Sequence, residues 1–114
     1  MNRLDRERLE DMLQHAETAV RLLGSADPAG LAADDRTYLA VRKAIEIVGE
    51  AANQVSEECR ATLPEISWFD AIAMRHRLVH GYRTIHPVVV VGTVRDDFPP
   101  LIAALERALK DEPA

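Results

Sequence analysis

Apolar positions along the chain recur with the step of a helix. Leu9, Met12, Leu13, Ala16, Val20 and Leu23 keep to one face, which predicts a first helix of about 20 residues closed by Gly24. Gly24-Ser-Ala-Asp-Pro-Ala-Gly30 then reads as a connection. Asp34 or Asp35 can cap a second helix, in which Tyr38, Val41, Ile45, Val48, Ala52 and Val55 hold the same spacing and which should end near Cys59. Pro64 breaks the chain. Ser67 followed by Asp70 resembles a capping box opening a third helix with Trp68, Ile72 and Val79 among its apolar residues, and Gly81 is its natural stop.

The segment Val88-Val-Val-Val-Gly-Thr-Val94 has the β-branched composition of a strand. A solitary strand would have no partner in a chain that is otherwise helical. The run is therefore read as a buried helix with Pro87 in its first turn, kinked or restarted at Pro99-Pro100. The last helix runs from Leu101 to about Lys110 and carries Leu101, Leu105, Ala108 and Leu109. The expected fold is an all-α bundle of four to five helices in one domain covering residues 1–114.

Composition narrows the class. With 114 residues, 47% of them apolar, the chain has room for one core, and the single Cys59 can support neither an intrachain disulfide nor a cysteine zinc site. No apolar run has the length of a membrane span and the N-terminus lacks a signal-peptide core, so a cytoplasmic protein without membrane contact is expected. The net charge of -5 argues against a generic polycation that coats nucleic acid. Its distribution is uneven. Between Ala71 and Arg95 there is no Asp or Glu, while Arg75, Arg77, Arg83 and Arg95 lie there with His76, His80 and His86. Twelve of the 14 basic residues are arginine, a bias that suits bidentate phosphate contacts and that genomic composition can also produce.

The informative segment is Trp68-Phe-Asp-Ala-Ile-Ala-Met-Arg75-His76-Arg-Leu-Val-His80-Gly-Tyr82, which contains Arg-x4-His-x-Tyr. Arg and His at this separation arise easily by chance, and the context carries the signal. With its preceding Pro-x-x-x-Trp, the segment resembles the HEPN superfamily, and within it the HepT-like toxins of the HepT/MntA toxin-antitoxin systems. The resemblance extends to Ile47-Val-Gly49-Glu50-Ala-Ala and to Asp97-Phe-Pro-Pro-Leu101, and spans about Tyr38 to Leu105. The family commonly carries Asn or Asp after the motif arginine, where this chain has His76. The resemblance implies a dimeric HEPN-type bundle acting as a metal-independent endoribonuclease without a cofactor, with both motifs of a homodimer facing one cleft. It also implies a minimal nucleotidyltransferase antitoxin, MntA-like, that transfers AMP to the motif tyrosine, here Tyr82.

The residue types suit that chemistry on their own. Cleavage of RNA by its own 2′-OH needs a group that moves a proton near neutral pH, and His80 is of the one type poised there without a large shift. It also needs fixed positive charge on the phosphorane oxygens, which the forked guanidinium of Arg75 supplies without a metal. His76, Arg77, Arg83 and Glu50 are the candidate supporting and phosphate-contacting residues. Five helical residues advance about 7.5 Å and turn about 140°, so Arg75 and His80 do not share a face unless the helix loosens near Gly81. A phosphate bound by both would then draw one group from a second subunit.

Plainer roles compete at each position. His80 beside a glycine can be a helix C-cap, Arg75 can pair with Glu50 across the bundle, and Tyr82 can be an amphipathic edge residue. His76 and His86 lack nearby carboxylates in a ligand pattern, so no metal site is expected. Trp68 and Met74 fit core or dimer contacts better than base stacking. For the whole chain the alternatives are a non-catalytic HEPN module that binds a nucleotide or a protein, and a structural dimer bundle. Both reactive positions being filled favours the enzyme.

Overall fold

The computed structural model describes residues 1–111, all helix or helix connection. Four long helical rods form the body: α1 (Arg3–Leu23), α3 (Asp35–Gln54), α5 (Trp68–His80) and a continuous helical run made of α6 (Pro87–Gly92), a π-helical turn (Thr93–Asp97) and α7 (Phe98–Asp111). Two single-turn helices, α2 (Pro28–Ala32) and α4 (Glu57–Ala61), sit in the connections. α1 packs on α3 and α7, while α5 packs on α3 at the edge of the bundle. The core is filled by Leu9, Met12 and Ala16 of α1, Val41, Ile45 and Val48 of α3, and Val90, Val94 and Leu105 of the last run.

The valine run is helical, as expected, because Pro87 supplies a first-turn residue that needs no hydrogen bond and Val90, Val91 and Val94 meet the core. Its π-helical continuation has a local cause. Pro99 and Pro100 cannot donate backbone bonds and their rings would crowd the carbonyls one turn back. Widening the turn, with the Phe98 N–H donating to the Thr93 carbonyl, carries the helix across both prolines without a break. α7 accordingly begins at Phe98, three residues before the expected start at Leu101.

Four further expectations are corrected. The 24–30 connection contains the start of α2, capped by the Asp27 carboxylate, which accepts from the Gly30 N–H at 2.7 Å. The second helix, capped by Asp34, stops at Gln54, because Val55 turns extended and Ser56 caps α4 instead. Ser67 occupies the N-cap position of α5 but makes no capping bond. Val20 of the expected apolar stripe faces outward, and Ala19 is buried in its place. Gly24 ends α1 as expected, in the left-handed backbone (φ 54°) that glycine adopts without strain.

A buried carboxylate ties the start of α1 to the junction between α3 and α4. Asp5 is only 5% exposed and accepts from the Ser56 N–H at 2.9 Å and the Ser56 Oγ at 2.7 Å, while Ser56 Oγ accepts from the Cys59 N–H at 3.1 Å. One side chain thus joins the first turn of α1 to the cap of α4.

On the other side an apolar groove of about 350 Å³ lies between α5 and the last run, floored by Ile45, Val48, Met74, Phe98 and Leu101. Glu65, Asp70, Asp96 and Asp97 line it together with Arg77. Partial burial, helped by repulsion from Asp96 and then Asp70, holds the Asp97 carboxyl above its ordinary value.

Asp5→Ala leaves the Ser56 N–H without its partner and is expected to cost about 1–3 kcal/mol, read as a lower urea midpoint at unchanged slope. For Asp97 the folded chain holds the proton more tightly than the unfolded chain, so stability falls as pH rises through the folded value. Asp97→Asn is therefore expected to raise Tm near pH 7 and to give no gain near pH 3, where both states are protonated. An equal gain at both would show that charge is not the cause.

Candidate active site

α5 carries the motif, and its placement is set by α3. Gly49 stands where the two helices touch: a Cβ there would overlap the Arg75 Cβ and lie 2.5 Å from the Ala71 carbonyl oxygen. Only a hydrogen at position 49 permits this approach. Arg75 is thereby laid along α3, where its Nη2 forms an ion pair with Glu50 Oε2 at 3.1 Å. The other Glu50 oxygen accepts from Gln54 Nε2 at 3.0 Å, one turn further along α3. The Arg75 Nε is buried without an acceptor, while the rest of the guanidinium keeps a solvent-facing side. The carboxylate therefore takes one nitrogen of the fork, and donors remain for an anion at the open side.

His80 lies on a different face. α5 is regular from Trp68 to His80, so the offset of about 140° between Arg75 and His80 persists. His80 is exposed and its ring meets that of His76, one turn back, with centroids 4.7 Å apart and planes tilted by 48°. The helix does stop at Gly81, whose N–H donates to the Arg77 carbonyl at 2.7 Å, but with φ at -122° rather than in the left-handed region. A single 3-10 turn, Tyr82–Thr84, follows, held by the Thr84 N–H and Oγ1 donating to the Gly81 carbonyl at 3.0 and 2.8 Å. It presents Tyr82 and Arg83 to solvent before Ile85 returns to the core.

The expected site residues thus divide into groups. Glu50 and Arg75 form one unit between α3 and α5, His76 and His80 form a second on the outer face of α5, and Tyr82 and Arg83 follow at its C-terminal end. Arg77 lines the acidic groove. Arg95, part of the acid-free stretch, is spent elsewhere: Nη1 and Nη2 donate to the carbonyls of Ala26 and Gly24 at 3.1 and 2.8 Å and hold the loop after α1. Trp68 is structural, its Nε1 donating to the Leu63 carbonyl at 3.1 Å. Two contributors escaped the sequence reading as individuals, Gly49 and Gln54. A glycine inside a strongly periodic helix was the available signal for the first, and the spacing of four from Glu50 for the second.

No group of three or more His, Cys, Asp or Glu is arranged to hold a metal ion among the described residues. None of their helices is long and apolar enough to cross a membrane. No solved structure matches the chain. Curated relatives do. The chain is 30% identical over 110 residues to the probable ribonuclease HepT of Thermococcus cleftensis, covering 96% of this chain and 100% of the relative. It is 26% identical over 98 residues to the candidate RNase MJ1380 of Methanocaldococcus jannaschii, covering 86% and 90% of the two chains. A candidate RNase of Caldanaerobacter subterraneus, TTE0752, is 24% identical over 104 residues, covering 91% and 93%. The model of the family described as ribonuclease HepT-like matches residues 10–108, and this chain belongs to that family.

Proposed function

We propose that the protein is a metal-independent endoribonuclease toxin, in which Arg75 and His80 act on the RNA phosphodiester. The observation that carries the reading is the Glu50-oriented Arg75 on the same helix as an exposed His80, in a chain of the HepT-like ribonuclease family. His80 takes the proton from the 2′-OH or returns one to the leaving 5′-oxygen. The O2′–P bond forms as the P–O5′ bond breaks, leaving a 2′,3′-cyclic phosphate. Arg75 holds the charge that builds on the non-bridging oxygens. His76, Arg77 and Arg83 supply further contacts to the RNA backbone.

The angular offset within one α5 supports a homodimer, whose facing copies pair the Arg75 of one with the His80 of the other. The edge position of α5 fits, since only Leu78 of this helix is buried and Phe69 is 81% exposed. Tyr82, exposed at the end of α5, is the proposed acceptor of AMP from a nucleotidyltransferase antitoxin. There the tyrosyl oxygen displaces pyrophosphate from ATP, and the attached phosphate stands beside Arg83 at the end of the motif helix, where it competes with the RNA backbone.

Purified protein is expected to cut RNA in EDTA. His80→Ala should abolish cutting with its helical content intact, and equal activity would sink the assignment. Arg75→Lys keeps the charge and loses the fork, for an expected loss of at least about tenfold, or 1.4 kcal/mol. Gly49→Ala should push α5 off α3, with overpacking costing about 1–3 kcal/mol against about 1 kcal/mol gained in helix propensity. Its cutting should fall well beyond the loss of folded protein. Light scattering should give the mass of two chains. Co-expression with the nucleotidyltransferase should add about 329 Da per AMP at Tyr82 and suppress cutting, and Tyr82→Phe should block the addition.

A further inference from the structure

The outer face of α5 carries a second arrangement, which follows from His76 standing one turn before His80. Residues four apart are neighbours on a helix surface, and these two rings are 4.7 Å apart between centroids, both open to solvent. Two imidazoles at this spacing are the helical half of a transition-metal site. We propose that His76 and His80 chelate a divalent first-row transition ion of the zinc and copper class, and that the bound ion silences the site.

The surroundings decide which ion. Neutral imidazole nitrogen suits zinc, copper and nickel, whereas magnesium and calcium require oxygen ligands. From residue 71 to 95 the sequence offers no carboxylate. Among the described residues no third His, Cys, Asp or Glu completes the set, so the ion keeps water in its remaining positions and the site is reversible rather than structural. Of the nearby positive charges, Arg75 is paired with Glu50 and Arg77 lines a groove with Asp70, Asp96 and Asp97, which leaves exposed Arg83, three residues after His80, to oppose the cation. The consequence for activity rests on the reading of His80 as the proton carrier, since a nitrogen bonded to the ion can no longer take or give a proton. On that reading the metal is an inhibitor of a nuclease that needs none.

The test uses the full chain without a histidine tag. Zinc chloride, copper chloride and magnesium chloride are titrated calorimetrically into wild type, His76→Asn, His80→Asn and the control His15→Asn, whose ring lies on α1 beside the Asp11 carbonyl. Expected are zinc and tighter copper binding to wild type and to the control, at least tenfold weaker binding in either α5 variant, and no heat with magnesium. Zinc should also stop RNA cutting by wild type, with EDTA restoring it, while whatever rate His76→Asn retains is insensitive to zinc. No zinc binding, or binding unchanged in both α5 variants, overturns the proposal. Binding that needs both histidines in a chain that cuts no RNA in EDTA upholds the chelate and overturns the nuclease reading instead.

Discussion

The contact between α3 and α5 at Gly49 is the constraint on which the site depends. Helix axes ordinarily stay 8–10 Å apart because side chains keep them there. Removing the side chain at position 49 lets the Arg75 Cβ and the Ala71 carbonyl fill its place, which fixes both the height and the rotation of α5. Arg75 must then run along α3 and meet Glu50. The pair is half exposed, so its contribution to stability is at most about 1 kcal/mol. Its meaning is geometric. A guanidinium tethered through one nitrogen, with Gln54 holding the tether, presents its remaining donors in a fixed direction.

How much of this could be read from the sequence depended on how local its cause was. The 3.6-residue period of Leu9 to Leu23 and of Val41 to Val55 is a property of each helix alone, and the first boundary followed from Gly24. The helical state of the valine run followed by elimination, against its own β propensity. Features arising from two distant segments were invisible. Asp5 reads as an ordinary first-turn acid and is in fact buried against Ser56, 51 residues away. Ser67 and Asp70 had the spacing of a capping box, yet Asp70 lines the groove with Asp96 and Asp97. The π turn required two prolines to meet a helix that tertiary packing would not let end. For the candidate site, Arg75, Glu50 and His80 are proposed from the motif and its context, while the close approach at Gly49 needed the partner helix.

The acid-free stretch shows why charge along a chain is a weaker guide than charge in space. Its four arginines suggest a phosphate-binding strip, but the fold gives each a different occupation. Arg95 supports the loop after α1 through two carbonyls, Arg75 is half neutralised by Glu50, and Arg77 lines a groove with four acids. Arg83 stands exposed beside Tyr82, at the C-terminal end of α5 where His80 lies. One chain therefore offers a short patch rather than a track for a polyanion. Affinity for RNA built from so few phosphate contacts would be modest and salt-sensitive. Doubling the patch across a symmetric pair of edge helices is the economical way to strengthen it, and it is the same step that would bring Arg75 of one copy toward His80 of the other. The placement of α5 at the edge, which leaves the motif helix poorly buried in a single chain, and the division of the arginines thus both fit the homodimer we propose.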